Sequence, residues 1–343
     1  MTHFEREIAE QPQVLSRILE DPAVPALATE LRGREVPLIA TLARGSSDNA
    51  VTFFAYLAGM TLGLPVASIP PSLLTLYAAR PRLRGALGIG VSQSGESTDV
   101  VEGLEALKAA GAITLAVTND AGSSLARGAD HALAQHAGVE EAVAASKTFT
   151  SQMMVLARLV AEWADDDGLR AALAAVPSAL ETLLGDLDAL ERAALRLTHA
   201  GGLYVLGRGL SFAAALETAL KLKETAYIDA QAYSSAEFQH GPIAVVDPGD
   251  PLLLLGMEDA SLDGNLEVAA RLREAGADLT VMSGAPALLE RASAAIPLPE
   301  GLHEATAGFV MVVAGQLLAE RLAASRGVDP DAPRLLKKVT RTR

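Results

Sequence analysis

Two stretches of this sequence hold the residue types that bind anions and move protons. In the first, Ser92-Gln93-Ser94-Gly95-Glu96-Ser97 sets hydroxyls, a carboxamide and a flexible glycine where the apolar run Ala86 to Val91 gives way to a helical pattern. Phosphate suits such a loop. Serine hydroxyls rotate to donate, and a helix start offers unpaired N–H groups at the positive end of its dipole. Ser46 and Ser47 repeat this chemistry after the apolar run Val36 to Leu42. One serine loop alone reads as helix capping; two at neighbouring strand ends favour anion binding. Neither is a nucleotide loop. The Walker lysine is missing, and Gly45 and Gly95 lack the partner glycines of a dinucleotide fingerprint.

In the second stretch, Glu217, Lys221 and Glu224 stand at i, i+4 and i+7 of an Ala- and Leu-rich helical pattern, so they share one face. Spacing alone reads first as a solvated ladder of weak ion pairs, while the apolar neighbours allow a partly buried face. Further on, Gly241-Pro242 ends a short helix and presents His240 at a turn. Loop placement is all that sets His240 apart from the other histidines. No His-x-x-x-His or carboxylate cluster has metal-ligand spacing, and no Gly-x-Ser-x-Gly elbow occurs. Neither a metal nor an organic cofactor is expected.

The elements that must position these residues repeat. Strands are expected at Val36 to Leu42, Ala86 to Val91 and Ile113 to Thr118, with His131 to Leu133 as a candidate fourth. A lead-in helix covers Phe4 to Leu19, a long helix Asp48 to Leu62, and a helical stretch Lys147 to His199. A second round has strands at Leu203 to Leu206, Pro251 to Leu255 and Asp278 to Met282, and a last helix from His303 to Ala324. Short apolar runs alternating with helical periods imply βαβ units and parallel sheets. Ala43-Arg44-Gly45-Ser46 has its counterpart in Leu206-Gly207-Arg208-Gly209. The step Leu107-Lys108-Ala109-Ala110-Gly111-Ala112 has its counterpart in Leu272-Arg273-Glu274-Ala275-Gly276-Ala277. The chain reads as a duplicated α/β domain, whose ligands belong beyond the carboxyl ends of its strands. A length of 343 residues fits two domains.

Composition narrows the function. Half the residues are apolar and only 4% aromatic, so the cores are aliphatic. The net charge is -14 and no basic stripe interrupts it, which argues against nucleic acid. The basic residues that do cluster, Arg334, Lys337, Lys338, Arg341 and Arg343, lie at the tail. There are no cysteines, which removes disulfides, thiolate metal sites and cysteine nucleophiles. The N-terminus lacks a signal peptide's apolar core. Apolar runs such as Ala307 to Gly315 fall short of the roughly 20 residues of a membrane span. A cytoplasmic protein without a membrane partner is expected.

Five segments in order resemble the SIS-domain family. They are Ser92 to Glu96, Val143-Ala144-Ala145-Ser146-Lys147-Thr148-Phe149-Thr150, Leu220 to Glu224, Ala236-Glu237-Phe238-Gln239-His240-Gly241-Pro242, and Pro333 to Thr340. Together they resemble the isomerase half of glucosamine-6-phosphate synthase, and more closely the stand-alone SIS-type glucosamine-6-phosphate deaminases. The resemblance implies an α/β fold of two tandem SIS domains, each a parallel sheet flanked by helices in a three-layer, flavodoxin-like arrangement. A lead-in would cover residues 1–30, the domains 31–166 and 199–328, a helical connector 167–198, and a tail closing the active site 329–343.

By position, Ser47, Ser92, Gln93, Ser94 and Ser97 match the family's phosphate-binding residues, and Ser46 stands beside Ser47 as a further substrate-binding candidate on its own chemistry. Val143 and Ala145 match positions lining the sugar. Glu224 matches the base acting between C1 and C2, and His240 the ring-opening group, which the family can take from a partner subunit. Lys221 matches a lysine near the reacting centre, Glu217 its charge partner, and Lys338 the lysine that closes over the sugar. The synthases' glutaminase domain and catalytic cysteine have no counterpart here, and Val339 stands where they have a serine. The implied activity is deamination of glucosamine 6-phosphate by a homodimer without cofactor. A fructosamine-6-phosphate deglycase, a plain aldose–ketose phosphate isomerase and a non-catalytic sugar-phosphate sensor remain alternatives.

Overall fold

The computed structural model of the chain describes residues 1–338; Val339, Arg341 and Arg343 lie outside the described residues. Two compact units emerge. One gathers Gln13–Glu140, Lys147–Ala174 and residues 336–338; the other gathers Met1–Pro12, Glu141–Ser146 and Ala175–Leu335.

The first unit is built on a five-stranded sheet of β1 (Ile39–Leu42), β2 (Val66–Ser68), β3 (Leu87–Ser92), β4 (Ile113–Thr118) and β5 (His131–Ala134). All neighbours are parallel, in the order β2-β1-β3-β4-β5. β1 and β3 are buried along their whole length, as strands covered on both faces must be. The helices Ser46–Leu62 and Ala23–Arg32 pack with Lys147–Ala164, while Thr98–Ala109 packs on β3. Beneath Thr98–Ala109, Leu42, Leu83, Val100, Leu104, Leu107 and Leu125 form an aliphatic core.

The second unit repeats this plan with β6 (Gly202–Gly207), β7 (Asp229–Ser234), β8 (Pro251–Gly256), β9 (Asp278–Ser283) and β10 (Ala294–Pro297). Its order is β10-β9-β8-β6-β7, again all parallel. Numbered from its own first strand and read from the other edge, that is the same 2-1-3-4-5 order, the flavodoxin-like arrangement. The turns repeat as well. Gly45 (φ 55°, ψ -132°) and Gly209 (φ 64°, ψ -134°) each precede a 17-residue helix in one unusual backbone conformation. Ala112 N–H donates to Leu107 O and Ala277 N–H to Leu272 O at 3.1 and 3.0 Å, closing equivalent helix ends.

Three details depart from the sequence expectation. The lead-in is two helices, His3–Ala9 and Gln11–Leu19, rather than one, with Pro12 in the first turn of the second, where its missing N–H costs least. The strands β2, β7 and β10 were not expected; all three are sheet edges. The helix Glu304–Ser325 is long and apolar enough to cross a membrane by length and composition, but 83% of that window is buried inside the protein. It packs against Leu210–Ala226, Asp188–Leu197 and Val176–Gly185, as a core helix does.

Candidate active site

In a 2-1-3-4-5 sheet the strand order reverses between the first and third strands, and the loops leaving their carboxyl ends open a crevice. In the first unit those loops follow β1 and β3, which pair through Leu42 and Gly90. They hold the two serine segments. Ser46 and Ser47 form the first turn of Ser46–Leu62. Ser97 is the N-cap of Thr98–Ala109, yet its side chain makes no capping hydrogen bond. Its hydroxyl lies 3.3 Å from the Ser92 hydroxyl instead.

Within the loop, Gly95 N–H donates to Ser92 Oγ at 3.2 Å and Glu96 N–H to Ser94 Oγ at 3.2 Å. Each bond uses a serine lone pair and leaves the O–H free to donate elsewhere. Gly95 has φ 64°, and a β-carbon there would stand 2.1 Å from Ser123 Oγ and 2.7 Å from Thr118 Oγ1. Both conformation and space require glycine. Glu96 turns aside: its carboxylate accepts from Ser124 N–H and Oγ at 2.8 and 3.0 Å. Nearby acidity is offset. Asp99, 2% exposed, is paired with Arg44 at 2.8 Å, and burial raises Asp48 above the usual carboxylate range against the pull of Ser68 and Arg44.

In the second unit the charged face of Leu210–Ala226 is a buried triad rather than a solvated ladder. The Lys221 ammonium lies 3.3 Å from Glu217 Oε1 and 2.5 Å from Glu224 Oε2. Side-chain exposure is 0% for Lys221, 1% for Glu217 and 22% for Glu224, so Glu224 alone of the three reaches the surface. The cause lies in the neighbouring stripe of the same helix. Thr225 hydrogen-bonds Lys221 O and Ala319 O, which sets this helix against Glu304–Ser325. Burial by itself would lower the Lys221 pKa, but the two carboxylates more than reverse that, so the ammonium is held above its ordinary value.

His240 is exposed, in the turn after the short helix Ser235–Phe238. No hydrogen bond or ion pair of the described residues joins it to Glu224. Val143 and Ala145 are half-buried and alternate with buried Ala142, Ala144 and Ser146. The Glu7 carboxylate fixes that segment by accepting from the Glu141 and Ala142 N–H groups at 2.5 and 3.2 Å. Lys338 belongs to the first unit, where its ammonium meets Glu140 at 2.6 Å. Glu140 escaped the sequence reading. Its buried carboxylate also accepts from Thr148 N–H and Oγ1 at 3.0 and 2.7 Å, at the start of Lys147–Ala164. That contact spans eight residues and a loop, so no local spacing rule finds it. Among the described residues, no group of three or more His, Asp or Glu side chains could hold a metal ion.

The family model for the SIS domain matches residues 34–161 and again 196–326. The chain belongs to the SIS domain family. The two matches fall on the two sheets described above. Among curated SIS relatives, a glutamine–fructose-6-phosphate aminotransferase [isomerizing] of Aeropyrum pernix is 36% identical over 97% of this chain and 56% of its own length. The chain thus spans little more than half of such relatives. A Silicibacter pomeroyi DSS-3 crystal structure, described as a phosphosugar isomerase, is 40% identical with a TM-score of 0.88, covering 96% of this chain and 100% of that one. The C-terminal domain of glucosamine-fructose-6-phosphate aminotransferase from Francisella tularensis is 28% identical with a TM-score of 0.87, covering 97% and 98%.

Proposed function

We propose that this SIS protein is an amino-sugar phosphate isomerase that deaminates glucosamine 6-phosphate to fructose 6-phosphate and ammonia. The observation that carries the reading is the buried triad. A carboxylate that reaches the surface, Glu224, is braced by an ammonium that is itself fixed by a second buried carboxylate. Such a pre-set carboxylate suits proton transfer between adjacent carbons, work worth typically about 10²–10⁴-fold.

The chemistry balances without an oxidant. His240 relays the proton that opens the sugar ring to the C1 aldehyde. Glu224 takes the proton from C2 and returns it at C1, while O1 gains a proton and the nitrogen gives one up, so C1 becomes a hydroxymethyl group and C2 an imine. Water adds to the imine carbon, and the C–N bond breaks to leave the ketone and ammonia. Lys221 braces Glu224, and Lys338 supplies positive charge toward the enolamine oxygen. The hydroxyls of Ser46, Ser47, Ser92, Ser94 and Ser97, with the Gln93 amide, hold the phosphate; Val143 and Ala145 flank the sugar. A homodimer is the working assembly.

A second reading is favoured by the 40% identical relative described as a phosphosugar isomerase. There the same C1–C2 transfer runs on a sugar with oxygen at C2, and nothing is released. The test is to give the purified protein millimolar glucosamine 6-phosphate and follow ammonia and fructose 6-phosphate. Equal release of both supports deamination. Failure with glucosamine 6-phosphate but interconversion of an aldose and a ketose phosphate moves the function to the second reading. Binding of these sugars without turnover of any makes the protein a sensor.

A further inference from the structure

Gln135 lies just past β5, wholly buried, and its side chain reaches back across β4 to the end of β3. Its Nε2 donates to Ser92 O at 3.3 Å and to Val117 O at 3.2 Å, which uses both amide hydrogens, while its own N–H donates to Thr118 O at 3.0 Å. The next carbonyls of the serine loop are claimed from the same side. Gln93 O accepts from Asn119 N–H at 3.1 Å and Thr118 Oγ1 at 3.4 Å, and Gly95 O accepts from Leu125 N–H at 3.0 Å. The oxygens of residues 92, 93 and 95 are thus bonded into the protein, and of the Ser92 and Ser97 hydroxyls one donates to the other while the second O–H faces elsewhere.

We propose that Gln135 is the positioning residue of the phosphate cradle: its buried carboxamide keeps the Ser92 carbonyl at the end of β3 turned inward, away from an anion held by the donors of the serine loop. The inference rests on the phosphate reading given above. A glycine-containing loop does not fix its own peptide planes, and one carbonyl turned toward a phosphate would replace an attraction by a repulsion. Two of the other three donors are main-chain N–H groups, of Asn119 just past β4 and of Leu125 in the short helix Ser124–Gly128, and the third is the Thr118 hydroxyl. Gln135 adds a side chain that reaches two carbonyls from two different strands, and it does so from a site with no exposed surface.

The test is titration calorimetry of the full chain with glucosamine 6-phosphate and with inorganic phosphate, on wild type, Gln135→Met and Gln135→Glu. Met keeps the bulk and removes both donors, so both probes are expected to bind about tenfold more weakly. Glu places a carboxylate against two carbonyl oxygens when ionised but offers one O–H when protonated. Its deficit against wild type at the same pH is expected to shrink as pH falls from about 8 to about 5.5. A packing defect alone gives no such recovery. Gln135→Met that melts cooperatively and binds both probes within twofold of wild type overturns the proposal. So does a Gln135→Glu deficit that is flat with pH, which decides the matter if the Met variant does not fold. Wild type that binds neither probe removes the phosphate reading and this inference together; wild-type binding with unaffected variants removes this inference alone.

Discussion

Lys221 carries its ammonium 3.3 Å from Glu217 with neither side chain more than 1% exposed. Both charges have left water, so neither tolerates loss of the other. Removing one partner of a buried pair typically costs about 3–5 kcal/mol, because the remaining charge is stranded. Lys221→Met is expected to lose stability on that scale in urea unfolding. The double variant Lys221→Met/Glu217→Leu is expected to recover part of the loss. A single variant within about 0.5 kcal/mol of wild type, the range of ordinary surface changes, would mean that water reaches the pair.

The same ion pairs set a pH dependence. The two carboxylates hold the Lys221 pKa above its ordinary 10.5, against the effect of burial. A group with a raised folded-state value stabilises the fold fully below its unfolded value and loses that contribution as pH rises through the folded one. The stability difference between wild type and Lys221→Met is therefore expected to be level through the neutral range and to shrink only above about 10.5. Urea midpoints of both proteins at about pH 7, 9 and 11 check this. A difference already falling by about pH 9 would place the Lys221 transition too low for the triad described.

If Glu224 moves the proton, Glu224→Gln keeps its size and loses its basicity. Turnover of glucosamine 6-phosphate is expected to fall about 10²–10⁴-fold, the usual worth of such a group. Binding of the sugar phosphate, measured by calorimetry, is expected to stay within a few-fold. Turnover at the wild-type rate would assign the base elsewhere, and loss of binding along with turnover would make Glu224 a ligand for the sugar rather than its base.

Periodicity exposed the parts of the fold that obey it. The central strands β1, β3, β4, β6, β8 and β9 are buried apolar runs, and each was expected from the sequence. The edges β2, β7 and β10 have one side unpaired and half-exposed residues. Their sequences Val66–Ser68 and Asp229–Ser234 therefore carry no apolar run. In the site, spacing placed Glu217, Lys221 and Glu224 on one face but could not say whether that face met water. A partner helix nearly a hundred residues later decides it, through Thr225 and Ala319. Glu140 and Gln135 were invisible for a related reason: their bonds cross loops and strands, where no fixed interval in the chain marks them.

The tail offers a last measurement. Lys338 pairs at 2.6 Å with Glu140, whose side chain is 0% exposed. A charge-assisted hydrogen bond to a buried acceptor is among the stronger polar contacts. Glu140→Gln keeps an acceptor for Thr148 at the start of the helix Lys147–Ala164 but removes the charge that holds Lys338. Tryptic cleavage at the Lys337–Lys338 bond, followed by mass spectrometry, is expected to speed up several-fold in Glu140→Gln, with the melting temperature nearly unchanged. Glu140→Ala also strips the acceptor from Thr148, and is expected to lower stability by about 0.5–2 kcal/mol, the range for a lost helix cap. Equal cleavage rates in wild type and Glu140→Gln would show that the tail is held by something other than this carboxylate.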